Sequence, residues 1–197
     1  MHEPDTRKQK RNLYEIITVY APLGIPGIPV DATNIATSTL LLRPTSRGVV
    51  SIRSSSPSDP PRMQSNYLST LLDFVTLVHA AKRTLKAILE TSSMHSTIQG
   101  ETPPSGPGLD CLLPLTAVAS GEAIEERIRG TGMQHYYSGA TAAMSEVVNG
   151  EGRVIGVKGS RVADASILPI PLGGHPQATL YLIAEQIASF IILDAEN

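Results

Sequence analysis

Tryptophan is absent, and cysteine occurs once, at Cys111, in a chain of 197 residues. One cysteine excludes an internal disulfide framework and any zinc site built from several thiolates. Neither sign of charge prevails: 16 Lys and Arg stand against 18 Asp and Glu, a net charge of −2. The basic excess that neutralises phosphates is missing, so nucleic acid is not an expected partner. The most apolar stretch, residues 180–193, contains Glu185, Gln186 and Ser189 and falls short of the roughly 20 residues that cross a bilayer. Residues 1–6 lack the apolar core of a signal peptide. The expected location is therefore cytoplasmic, with no membrane partner. The basic run Arg7-Lys8-Gln9-Lys10-Arg11 reads as a solvated arm.

Hydrophobic residues at 41% and charged residues at 17% suit a chain that buries a core. Gly 16 and Pro 15 call for many turns. Residues 12–20 and 33–43 have the β-branched content of strands, and residues 49–53 alternate as a half-buried strand does. The second and third of these suggest an antiparallel hairpin across the turn at residues 44–48. Residues 54–61 form a loop. Apolar residues then recur at helical spacing over residues 69–90, with His79 as a packed or surface histidine. Residues 91–114 read as a flexible linker in which His95 and Cys111 are incidental. A short charged helix is predicted over residues 122–129, after Ser120. Residues 153–157 and 160–163 read as two short strands around Lys158-Gly159. A helix begins at His175-Pro176, where proline fits the first turn, with Leu180, Ile183, Ala184, Ile187, Phe190 and Ile191 as its buried stripe.

Two segments could carry chemistry. Gly173-Gly174-His175-Pro176-Gln177 puts a histidine at a helix start, where unpaired N–H groups present partial positive charge and the glycines permit close backbone approach. An ordinary loop-to-helix junction has the same local pattern. Gln134-His135-Tyr136-Tyr137-Ser138-Gly139-Ala140-Thr141-Ala142-Ala143-Met144 combines proton-transferring side chains with small residues that let backbone approach a ligand. Sequence distance alone does not show that the two segments meet.

The run Arg153-Val154-Ile155-Gly156-Val157-Lys158-Gly159-Ser160-Arg161-Val162-Ala163-Asp164-Ala165-Ser166-Ile167-Leu168-Pro169 resembles the C-terminal signature of glucose–methanol–choline (GMC) flavin oxidoreductases, and residues 174–185 continue it. Upstream, Leu42-Arg43-Pro44-Thr45-Ser46-Arg47-Gly48-Val49-Val50 and Ser56-Pro57-Ser58-Asp59-Pro60-Pro61 with Asn66-Tyr67 also fit, so the resemblance spans about residues 39–192. It implies an α+β fold: a mainly antiparallel sheet, a long packed helix and a C-terminal strand–loop–helix tail. Residues 39–195 would be the family's C-terminal domain, preceded over residues 1–38 by an arm and partial substrate-domain strands.

The resemblance also implies FAD as cofactor and a small-molecule alcohol as substrate. His175 matches one catalytic position, while Asp164, Ala165, Gly174, His175, Pro176 and Gln177 match residues against the flavin. The family pattern His-x-x-Gly-Thr-x-x-Met leaves the other catalytic position open. Counting back from Met144 puts it on Tyr137, whereas His135 requires two extra residues. A phenol with a pKa near 10 is a poor base at neutral pH. The Gly-x-Gly-x-x-Gly turn between a strand and a helix, which holds the pyrophosphate in the complete family pattern, is not found among the glycines. The expectation is a truncated family member without a complete Rossmann FAD-binding unit, inactive alone. Active oxidation with the flavin half supplied elsewhere, or association with a full-length relative, are the alternatives. A role in specialised metabolite biosynthesis is an expectation by analogy only.

Overall fold

A computed structural model describes residues 12–22 and 24–196. The basic run at residues 7–11 lies outside the described residues. Among the described residues the secondary structure is α+β, and both strand pairs are antiparallel. Two compact units divide the described chain without following chain order.

The unit containing residues 14–41 and 70–133 is built on strands β1 (Tyr14–Val19) and β2 (Ala36–Leu41). Tyr14 stands opposite Leu41 and Val19 opposite Ala36. Ala36 and Leu40 of β2 are buried, and helix α1 (Leu71–Leu89) packs on this strand. Thr70 caps α1 by accepting the Asp73 amide at 3.4 Å. Buried Thr84 donates its hydroxyl to the Ala80 carbonyl at 3.0 Å. Thr39 of β2, 3.0 Å away, must then donate to the Thr84 oxygen, because that hydroxyl has one proton. One buried hydroxyl thus links helix to sheet with its bonding satisfied.

The sequence segment 91–114 contains a single helical turn, α2 (Ser92–His95), and Glu101. The Glu101 carboxylate accepts the Leu115 amide at 2.8 Å and pairs with Arg127 of helix α3 (Gly121–Thr131). Arg127 also donates to the Leu113 carbonyl at 2.9 Å. Ser120 caps α3 through the Ala123 amide, and Ile124 is its buried residue.

The other unit contains, among the described residues, 12–13, 42–69 and 134–196. Here the expected hairpin is corrected. Strand β3 (Val49–Ser51) pairs with β4 (Arg62–Gln64), while β2 takes β1 as its partner. The β4 segment was hidden from pattern reading because all three of its residues are exposed and carry no alternation. Residues 153–157 and 160–163 form no ladder, only the isolated bridge Arg153 to Arg161 and a second from Val154 to Val148.

Helix α4 (Gln177–Ala195) completes this unit. Its 19 residues are long and apolar enough, by length and composition only, to cross a membrane, a longer stretch than the sequence pattern suggested. Of the expected buried stripe, Ile187 is buried and Leu180, Ile183, Ala184 and Phe190 are half-buried, whereas Ile191 is 48% exposed. Ile187 meets Val148 and Ile167 in a small core flanked by Met144, Val154 and Val162. Gly152 lets α4 come this close: at φ +73° it favours glycine, and a Cβ would lie 2.8 Å from Ile187 Cδ1. The far end of α4 is tied by Asp194, which accepts from Arg161 at 2.6 Å and pairs with Arg153. Those guanidiniums hold the Asp194 carboxyl below its usual range, the Arg161 hydrogen bond foremost.

Because Ile167 is fully buried and Ile191 is not, equal truncations at the two positions should differ in cost. Ile167→Ala is expected to destabilise by about 2–4 kcal/mol. Ile191→Ala should stay within about 0.5 kcal/mol of the parent. Urea denaturation followed by circular dichroism measures both; equal losses would contradict the placement of the core.

Candidate active site

Both segments singled out in the sequence lie in the unit just described, and three backbone hydrogen bonds bring one of them to the Asp164 turn. The amides of Ala140, Ala142 and Met144 donate to the carbonyls of Ala165, Ser166 and Ile167 at 3.2, 2.9 and 2.9 Å. Small residues in 139–144 serve this docking. A Cβ on Gly139 would lie 2.7 Å from the Ala165 carbonyl oxygen, so the close approach expected toward a ligand is made instead to the chain's own backbone. Tyr136 and Ala140 both adopt positive φ, +58° and +67°, on either side of Tyr137. Such left-handed turns at non-glycine residues cost of order 1 kcal/mol each and bend the segment around the intervening residue.

Tyr137 is the residue so presented. Its hydroxyl forms a hydrogen bond with His175 Nδ1, and the two rings meet edge to face with centroids 5.5 Å apart. His135 packs edge-on against the other side of Tyr137 at 5.3 Å. The ring contacts among the described residues therefore run His135 to Tyr137 to His175, with none directly between the histidines. Of the two residues left open for the partner position, Tyr137 is the one that touches His175.

His175 is exposed and stands two residues before α4. Pro176 is the N-cap, at φ −80° and ψ −13°, and its carbonyl accepts the Leu180 amide at 2.9 Å. No side chain caps this end, so the first-turn amides from Gln177 onward keep their partial positive character. A Cβ on Gly174 would meet no atom of the chain within 4 Å, and one on Gly173 would meet Asn12 no closer than 3.7 Å. Asp164 caps the 3-10 turn Ala165–Ile167, accepting the Ser166 amide at 2.8 Å and the Ser166 hydroxyl. Its carboxyl lies below the ordinary range, chiefly through the Ser166 hydroxyl and then the Ser166 amide. The Asp164–Ser166 amide bond is an Asx turn, legible from the aspartate in a loop, and the Ser166 hydroxyl adds a second donor to the same oxygen. The Ala140–Met144 ladder carried no such signal, being made by backbone.

Residues 44–184 match the family described as GMC oxidoreductase. The chain belongs to this family. It is 37% identical over 194 residues to the GMC-type oxidoreductase acuG of Aspergillus aculeatus, covering 96% of this chain and 36% of that relative. Identity to the patulin synthase of Aspergillus clavatus is 35%, over 81% of this chain and 25% of the relative. Among solved structures, an FAD-dependent oxidoreductase from Chaetomium thermophilum superposes with a TM-score of 0.67 at 29% identity, covering 84% of this chain and 27% of the other. The chain thus spans about a quarter to a third of the length of these GMC relatives.

FAD, the cofactor that the family uses, finds a partial fit in these residues. The open space at Gly174 and the uncapped α4 amides could border a flavin ring edge. Ala165 offers less, because its carbonyl already accepts from Ala140 and Leu168. Among the described residues no strand leads through a glycine-rich turn into a helix, and no three potential metal ligands cluster. The pyrophosphate therefore has no cradle here, and these residues do not fit the whole of FAD.

The lowered Asp164 carboxyl has a definite sign. A depressed carboxylate stabilises the fold above the ordinary range near pH 4 and loses that contribution as pH falls through its lowered folded value. Ser166→Ala should move the Asp164 titration upward, as read by carbon-13 carboxyl NMR. The stability gap between parent and variant should be widest above about pH 5 and close toward pH 2. An unmoved titration would show that Ser166 does not hold the carboxylate.

Proposed function

We propose that these 197 residues are the substrate-side portion of a GMC-type oxidoreductase and that this chain alone does not turn over. The carrying observation is the Tyr137–His175 hydrogen bond before α4, without a phosphate cradle among the described residues. The family's chemistry is hydride removal from an alcohol carbon by FAD, which here needs a flavin held by other residues. What this chain contributes is the polar pair that meets the substrate oxygen and the helix start whose amides favour negative charge beside it. Ile167 and its neighbours hold these groups in place from below. The relatives' fungal origin, and the name patulin synthase of one of them, support a substrate drawn from specialised metabolism.

A second reading is association with a full-length relative. Its support is the outward face of α4, where Tyr181, Leu182, Ile192 and Leu193 are all more than half exposed, and the β3–β4 pair, whose residues are all exposed. Co-purification of a tagged chain with such a relative tests it.

The leading reading is tested by the visible spectrum of the purified chain, with and without added FAD and a panel of primary alcohols. A colourless protein that leaves the added flavin spectrum unperturbed is expected. A bound-flavin spectrum that bleaches on adding alcohol would overturn the proposal.

A further inference from the structure

We infer that Tyr137 is a positioning residue that fixes the tautomer of His175, so that the neutral imidazole carries its hydrogen on Nε2 and acts as a donor. The bond between the Tyr137 hydroxyl and His175 Nδ1 has two possible directions. A phenol is much the stronger acid, with a pKa near 10, and the ring oxygen is a weak acceptor because its lone pair is shared with the aromatic system. An unprotonated imidazole nitrogen is a good acceptor. The favoured direction is therefore from the Tyr137 O–H to His175 Nδ1. A neutral imidazole has one N–H, and with Nδ1 accepting, that hydrogen sits on Nε2.

This changes what the exposed ring offers a ligand. Nε2 bearing a hydrogen cannot also receive the proton of an alcohol. It suits an oxygen that accepts: a carbonyl, a carboxylate or an alkoxide. His135 does not alter the assignment, since it packs on Tyr137 and makes no ring contact with His175. The inference deepens the reading of His175 as the residue at the substrate oxygen. Its readout needs no flavin, so a chain that binds FAD and turns over, which would overturn the inactive reading, leaves this inference to be decided separately.

The test is nitrogen-15 NMR of the full chain labelled at its 5 histidines, recorded at pH 8 with long-range proton–nitrogen correlation. Loss of one set of signals in His175→Gln assigns the ring. The wild type should show two well-separated nitrogens, pyridine-like at Nδ1 and pyrrole-like at Nε2. In Tyr137→Phe, which keeps the ring packing and removes the hydroxyl, the two shifts should move toward each other as tautomers exchange. Packing alone would not produce that change. A wild-type ring protonated at Nδ1, or already averaged, would overturn the inference, as would a folded Tyr137→Phe variant with unaltered shifts. Should that variant not fold, the wild-type pattern decides alone.

Discussion

The amides of Ala140, Ala142 and Met144, donating in turn to the carbonyls of Ala165, Ser166 and Ile167, tie together two stretches more than twenty residues apart. Each such bond has modest net worth, about 0.5–1.5 kcal/mol, so the ladder persists because burial accompanies it. Ile167 ends the ladder with its side chain fully enclosed against Val148 and Ile187. Through Ile187 the same contact seats α4, and through α4 it sets where His175 stands. Through Ala140 it sets the bend that presents Tyr137. The polar pair at the surface is thus an outcome of a small apolar core beneath it.

Electrostatics trims this arrangement at both ends of α4. At the start, the uncapped amides leave positive character beside His175. At the end, Asp194 stands where a carboxylate is disfavoured by the helix carbonyls, and Arg153 and Arg161 offset that cost while tying the helix to the preceding loops. Arg161 is the better placed of the two, its side chain only 15% exposed. Surface pairs contribute little singly, but a carboxylate shared by two guanidiniums restricts the helix end more than one pair does.

Helices were the most legible part of the fold. Apolar spacing located α1 to within two residues, and Ser120 marked the start of α3 as its cap does in the structure. Strand pairing was not legible, because β2 had β-forming neighbours on both sides and nothing local tells which it joins. The answer lies in the packing of β2 on α1, where Thr39 meets Thr84, a tertiary fact. The α4 stripe is covered to unequal depth: 3.6-residue spacing marks which side chains can share a face, and contact buries Ile187, half-buries Leu180, Ile183, Ala184 and Phe190 and leaves Ile191 exposed. At the site, His175 and Tyr137 were named by the GMC resemblance, yet their meeting rests on the Ala140–Met144 ladder, which backbone atoms make without a sequence signature.

With this core beneath them, loop and tail hold together in this chain without flavin. Amide hydrogen exchange on the purified 197-residue chain, with no FAD added, tests that most directly. The Ala142 and Met144 amides should be protected together with those of α4 around Ile187, opening as one cooperative unit. Exchange at Ala142 and Met144 as fast as in an unstructured peptide, beside a protected α4, would contradict it.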